Sequence, residues 1–220
     1  MWIKICGLNR TDTAHAFLDL AKQGIAPDAV GLNFYAKSKR VVTREMAAKI
    51  VAILPDSIEP VGLFVNHSAE EIRDLCQYTA IRTIQLHGDE SPEFIAELAE
   101  FNIIRAFRVG NEGLDDVARQ LERFQQLGIT MTRCIVDALV SGAYGGTGHH
   151  APWDLLRRDW QPDWPALILA GGLTSANVAQ AIEAAQPQGV DVASGVEISP
   201  GHHDPEEIAR FIQRARAAQS

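Results

Sequence analysis

The sequence predicts an α/β fold, a closed (β/α)8 or TIM barrel, and three observations carry the prediction. A short β-branched or apolar run, ending in Gly, Asn, Ser or Asp and leading into an amphipathic helical stretch, recurs about eight times, as many βα units as such a barrel requires. No charge-run linker or low-complexity segment interrupts the 220 residues, so residues 1–220 are expected to form a single domain. The first run ends in Cys6-Gly7-Leu8-Asn9. A doubly wound open sheet, the runner-up, would instead show a Gly-x-Gly-x-x-Gly turn there.

The units follow in order. Residues 3–7 form the first strand, and 11–23 a helix with Ala14, Phe17, Leu18 and Ala21 at helical spacing and Thr11 or Asp12 near its cap. Strand 29–34 precedes a longer loop and helix 43–54. Strand 60–65 leads to helix 68–78, opened by the capping box Ser68-Ala69-Glu70-Glu71. Strand 83–86 leads to helix 91–100, opened by Ser91 and Pro92, and strand 103–109 to helix 114–126. Strand 133–138 is followed by a Gly-rich loop and a short helix near 152–158. Strand 167–169 precedes helix 176–185, and strand 190–193 precedes helix 205–218.

Composition narrows the function. Hydrophobic residues at 46% and charged residues at 22% are ordinary for a soluble globular chain. No apolar run approaches the roughly 20 residues of a membrane span, and Met1–Gly7 lacks the pattern of a secretion signal. The net charge of −8, from 28 acids against 20 bases, argues against nucleic acid as a partner. It leaves room for a small phosphorylated molecule bound by a local donor cluster. Three cysteines at irregular spacing suggest neither a disulfide framework nor a zinc site and point to the cytoplasm. The expected assembly is a monomer or weak homodimer, with no membrane partner.

In such a barrel the chemistry sits at the C-terminal strand ends. The segments there are Cys6-Gly7, residues 33–40, Asn66, residues 85–89, Arg108, residues 137–148, 170–173 and 194–197. Gly171-Gly172 after the seventh strand and Ser194-Gly195 after the eighth form a candidate phosphate site. Glycines allow backbone N–H groups to approach an anion closely. Cys6 is a candidate base or nucleophile if a nearby cation or dipole draws its thiol toward neutrality. A small buried packing residue is the alternative. Cys76, inside a helix, and Cys134, at the start of its strand, are read as packing.

Asp137 ends an apolar strand with a carboxyl, which is costly unless paired or used. With a raised pKa it would serve as a general acid. Loop bracing is the alternative, but the Gly-rich segment 141–148 that follows looks like an active-site lid. Lys37, Lys39 and Arg40 lie in the second loop, where Arg40 could hold a planar carboxylate through two parallel hydrogen bonds. The adjacent pairs His149-His150 and His202-His203 do not have the spacing of helix metal ligands. His87 could line the pocket. No metal site and no cofactor are expected.

Several ordered motifs carry a resemblance. They are Lys4-Ile5-Cys6-Gly7, Phe34-Tyr35-x-Lys37-Ser38-x-Arg40, Gly62-Leu63-Phe64-Val65-Asn66 and Gln85-Leu86-His87-Gly88. Beyond these come Asp137 with Gly145-Gly146-Thr147-Gly148, Leu169-Ala170-Gly171-Gly172-Leu173, and Asp191-Val192-x-Ser194-Gly195-Val196-Glu197 with Pro200-Gly201. Over essentially its whole length the chain resembles the phosphoribosylanthranilate isomerase family of tryptophan biosynthesis. The resemblance implies an Amadori rearrangement of N-(5-phosphoribosyl)anthranilate, with Asp137 as general acid on the furanose oxygen and Cys6 as general base on the C2′ proton. It implies Arg40 at the anthranilate end, and Gly171, Gly172, Ser194 and Gly195 at the phosphate. Asn33, Ala193 and His202-His203 depart from the family's usual residues. Another phosphate-binding barrel, such as an indole-glycerol-phosphate synthase or a sugar-phosphate epimerase, and a binding module without turnover are the competing readings.

Overall fold

The computed structural model describes residues 1–110, 113–137 and 153–219. Eight parallel strands close on themselves in chain order. They are β1 (Trp2–Cys6), β2 (Ala29–Asn33), β3 (Glu59–Phe64), β4 (Thr83–Leu86), β5 (Asn102–Arg108), β6 (Met131–Asp137), β7 (Ala166–Ala170) and β8 (Gly189–Val192). The intervening helices are α1 (Thr11–Lys22), α2 (Arg44–Ile53), α3 (Ala69–Thr79), α4 (Pro92–Ala96), α5 (Asp115–Gln126), α6 (Trp153–Asp159) and α7 (Val178–Ala185), and α8 (Pro205–Ala217) follows the last strand. Closure is made by β1 on β8, which pair from Trp2–Gly189 to Ile5–Val192.

Strand alternation divides the core in two. Ile3 and Ile5 of β1 join helix residues such as Phe17 and Phe211 in the large cluster between sheet and helices. Ala29, Val61, Ile104, Ala106, Ile135, Ile168 and Ala170 form a second cluster inside the barrel. The period of two thus turns Lys4 and Cys6 to the interior while their neighbours pack outward.

The expected elements are all present, with instructive shifts. Helix α3 carries the capping box, with Glu71 N–H donating to Ser68 Oγ and Ser68 N–H to Glu71 Oε2. Helix α1 differs at its start. Arg10 holds the cap position without a side-chain cap, while Asp12 accepts from the Thr13 N–H and pairs with Arg10. Helix α4 ends at Ala96, short of the expected residue 100, because Glu97 and Leu98 donate to Phe94 and Ile95 and tighten the chain into three-residue turns. Cys134 lies in the middle of β6 rather than at its start, since the strand extends back to Met131. It is buried in the outer cluster, and burial pushes its thiol up to about 12. Cys76 on α3 is likewise packed. A hairpin, β9 (Glu197–Ser199) with β10 (His202–His203), follows β8 and has no counterpart in the expected elements.

Candidate active site

A cavity of about 530 Å³ opens at the C-terminal ends of the strands, and every strand or the loop after it contributes to its wall. Cys6 enters from β1, Arg108 from β5, Asp137 from β6, Gly171 and Gly172 from beyond β7, and Ser194 from beyond β8. Arg40 joins from the loop after β2. The sequence-predicted residues therefore converge, apart from Gly195, which lies just behind the wall.

Cys6 is buried, and directly below it on the inward face of β1 lies Lys4, fully buried. The Lys4 ammonium bonds Asp191 Oδ1 on β8 at 2.9 Å. Burial opposes the lysine charge, but Asp191 and the Cys6 sulfur outweigh it and hold Lys4 above its usual value. Burial pushes the Asp191 carboxyl up against the pull of Lys4. The thiol behaves differently from the sequence expectation. Lys4 and Arg40 do pull it down, but burial wins and its pKa is raised, not drawn toward neutrality. A cation lowers a thiol only as far as the lost hydration of the thiolate permits.

Asp137 closes β6 with a half-buried carboxyl whose Oδ1 has no hydrogen-bond partner among the described residues. Burial raises its pKa, the Asp191 charge raises it further, and Arg108 opposes. Arg108 is its register partner on β5. A carboxyl kept neutral above its ordinary range can donate a proton. Segment 141–148, expected as a lid, and His149-His150 lie outside the described residues.

The glycine loops are shaped by two different demands. Gly171 and Gly172 both have positive φ, at 92° and 64°, a region where L side chains are strained. Asn177 braces that turn by donating to the Gly172 carbonyl at 3.0 Å and accepting from the Thr174 N–H. Gly195 answers to packing, since a Cβ there would stand 1.9 Å from the Leu173 carbonyl oxygen. Its bare backbone lets the β8 loop lie against the β7 loop.

Arg40 is placed on the cavity wall, yet its fork is already engaged. Nε and Nη2 donate to the two carboxylate oxygens of Glu197 at 2.7 and 2.6 Å. Glu197 also accepts from the Gly201 N–H, and His203 follows on the same hairpin. His203 is buried with Nε2 3.1 Å from the Cys6 carbonyl oxygen. A carbonyl only accepts, so Nε2 carries the proton. Asn33 shapes the Arg40 loop, accepting from the Tyr35 N–H and donating to Ser38 Oγ, which in turn accepts from the Arg40 N–H. Lys37 and Lys39 of the same loop are not part of the cavity wall. His87 lines the cavity with its pKa lowered to about 4 by burial and the nearby Arg108, Lys4 and Arg105 charges. It is neutral near pH 7.

Sequence reading passed over Lys4, Asp191, Glu197 and His203 as individual groups. Lys4 had a visible signal, being a charge between Ile3 and Ile5 in an otherwise apolar strand. Asp191 had the same signal between Val190 and Val192. Glu197 stood at the end of the segment after β8 and His203 in a histidine pair, but their roles were not legible, because they depend on contacts with Arg40 and Cys6 far away in sequence.

A closed (β/α)8 barrel presenting to one cavity a buried thiol and a carboxyl with an oxygen unpaired among the described residues is an enzyme scaffold of the acid–base kind. The family model described as N-(5′-phosphoribosyl)anthranilate (PRA) isomerase matches residues 3–214, and the chain belongs to that family. The N-(5′-phosphoribosyl)anthranilate isomerase of Thermotoga neapolitana is 40% identical over 215 residues, 97% of this chain and 98% of its own. A solved phosphoribosyl anthranilate isomerase in complex with reduced 1-(o-carboxyphenylamino)-1-deoxyribulose 5-phosphate matches at 32% identity and a TM-score of 0.81, over 99% of both chains. A structure of monomers generated from the dimeric isomerase of Thermotoga maritima matches at 32% identity and a TM-score of 0.78, again over 99% of both. Among the described residues no helix is long and apolar enough to cross a membrane.

Proposed function

We propose that the chain catalyses the Amadori rearrangement of N-(5′-phosphoribosyl)anthranilate to 1-(2-carboxyphenylamino)-1-deoxyribulose 5-phosphate, a step of tryptophan biosynthesis. Asp137 donates its proton to the furanose ring oxygen as the C1′–O bond breaks, and the anthranilate nitrogen lone pair forms the C=N bond of a Schiff base. Cys6, as thiolate, removes the C2′ proton, and the C–H electron pair neutralises the iminium as an enolamine. The 2′-hydroxyl proton then moves to C1′ overall, leaving the ketone. Lys4 beside the sulfur stabilises the thiolate when it forms. The phosphate is assigned to the backbone of Gly171, Gly172, Ser194 and Gly195. Anchoring there orients the sugar between the acid and the base.

The observation that carries this reading is the buried Oδ1 of Asp137, unpartnered among the described residues, in the same cavity as Cys6. A binding-only site would leave that carboxyl paired, because an unsatisfied buried group is destabilising. The test follows the loss of anthranilate fluorescence on freshly prepared phosphoribosylanthranilate, without added metal. Wild type turns the substrate over, and Asp137→Asn falls by about 10²- to 10⁴-fold. An unchanged rate in Asp137→Asn or in Cys6→Ala refutes the assigned roles.

A further inference from the structure

Strand alternation on β4 turns an uncharged polar side chain into the barrel. Ile84 and Leu86 pack in the outer cluster, so Gln85 between them points inward. It is 1% exposed and lines the cavity one inward position below His87. Its register partners are Leu63 on β3 and Ile104 on β5, and apolar side chains therefore stand on both sides of the amide. Its Oε1 is buried and has no hydrogen-bond partner among the described residues. Other polar groups of the cavity are already engaged: Asn33 bonds Tyr35 and Ser38, Asp191 bonds Lys4, and Arg40 bonds Glu197.

The orphaned atom decides what could meet it. An amide oxygen only accepts, so a phosphate or a carboxylate cannot satisfy it, and the partner must bring an O–H or N–H. Strand order places β4 across the closed barrel from β8, and a sugar phosphate anchored at the glycine loops after β7 and β8 extends its carbon chain toward Gln85. In the substrate class proposed above, the anilino N–H is bonded internally to the ortho carboxylate, and the ring oxygen is taken by Asp137. The hydroxyls on C2′ and C3′ remain as donors. Resting on that reading, we infer that Gln85 is a specificity-determining residue whose amide receives a ribosyl hydroxyl, on C2′ or C3′, from beneath the sugar. A site built to hydrogen-bond a hydroxyl rejects analogues that lack it, because its own buried group is then left unpaired.

The test is a cycle that removes the amide and the hydroxyls separately. Calorimetry on the full chain compares reduced 1-(o-carboxyphenylamino)-1-deoxyribulose 5-phosphate with two counterparts, one lacking the C2 hydroxyl and one lacking the C3 hydroxyl. Wild type should bind the parent about 10- to 100-fold more tightly than one of the two, and that ligand identifies the hydroxyl. Gln85→Met, similar in length but without the amide, should bind the parent and that ligand alike. In turnover its kcat/KM for phosphoribosylanthranilate should fall by about the same factor. Its melting temperature should stay at or above that of wild type, because the substitution removes an unpaired buried polar group. Gln85→Leu, which also lacks the amide, serves in the same cycle should Gln85→Met fail to fold.

The inference is overturned if wild type binds all three ligands alike, or if the variant keeps the wild-type preference. It is also overturned if the variant melts lower and weakens all three ligands equally, since Gln85 would then only shape the barrel interior. Failure of wild type to convert phosphoribosylanthranilate would instead sink the reading of function. Wild-type turnover with an unchanged hydroxyl preference in the variant sinks this inference alone.

Discussion

At the residue scale, the two reacting groups must carry protons in an order opposite to their affinities. The productive form has Asp137 protonated and Cys6 ionised. Burial raises both groups, and the thiol still titrates above the carboxyl, so most molecules hold the reverse arrangement. The pH profile follows from that ordering. Below the Asp137 pKa, kcat/KM climbs with pH because the thiolate fraction grows while the acid stays protonated. Between the two pKa values the gain of thiolate and the loss of the neutral acid cancel, giving a plateau. Above the Cys6 pKa the acid continues to empty and the rate falls. The expected outcome is a broad plateau whose acid limb lies above the usual carboxylate range and whose alkaline limb lies above that of an ordinary thiol. Stopped-flow rates across the pH range check it, and an acid limb at an unshifted carboxylate value contradicts it. Plateau height depends on the gap between the two groups, which explains the value of a cation beneath the sulfur.

At the element scale, β2 contributes by what it lacks. A Cβ on Gly31 would come within 2.6 Å of Cys6 Sγ and 3.1 Å of Lys4 Nζ, so the bare strand makes room for both groups. Gly31→Ala must displace the thiol, and it also crowds the buried Lys4 ammonium and the Cys6 backbone, whose Cα would stand 3.2 Å away. A displacement of about 1 Å in a reacting group reduces a rate by about 100-fold. The measured result should be a large fall in kcat in a folded variant with a lowered melting temperature, and near-wild-type kcat would show that the thiol has slack. The run 29–34 identified this strand from its apolar residues and from the ending in Asn33. It carried no sign that Gly31 faces Cys6, because that requires the register of β1 on β2, in which Cys6 pairs with Gly31.

At the scale of the whole molecule, the ion pair beneath the thiol spans the seam that closes the barrel. Lys4 and Asp191 are register partners on β1 and β8, so one contact joins the two ends of the sheet and supports the base. Lys4→Met leaves Asp191 buried without its cation and should lower stability by about 3–5 kcal/mol. That is a large share of the roughly 5–15 kcal/mol by which a domain is stable. The double variant Lys4→Met/Asp191→Leu removes both charges and should recover much of that stability, but not the activity. Chemical denaturation alongside turnover separates the two effects. Full activity in the stable double variant would show that the pair serves closure alone.

The motifs and rhythm of the sequence by themselves determined the eight βα units, the strand ends where chemistry collects, and Cys6, Asp137, Arg40 and the glycine loops as the groups to inspect. Those features are local: a period of two or 3.6, a capping box at Ser68, a glycine where the chain must turn. The tertiary structure alone decided that Lys4 meets Asp191 below Cys6, that burial outweighs the cations and raises the thiol, and that Arg40 is already held by Glu197. It also decided that His203 braces the Cys6 carbonyl, and that Gln85 faces the cavity with its Oε1 unpartnered among the described residues. The physical reason is that pairing and pKa depend on distance and solvation in space. Strand closure brings Lys4 and Asp191, 187 positions apart in the chain, to 2.9 Å, and no local pattern encodes that distance.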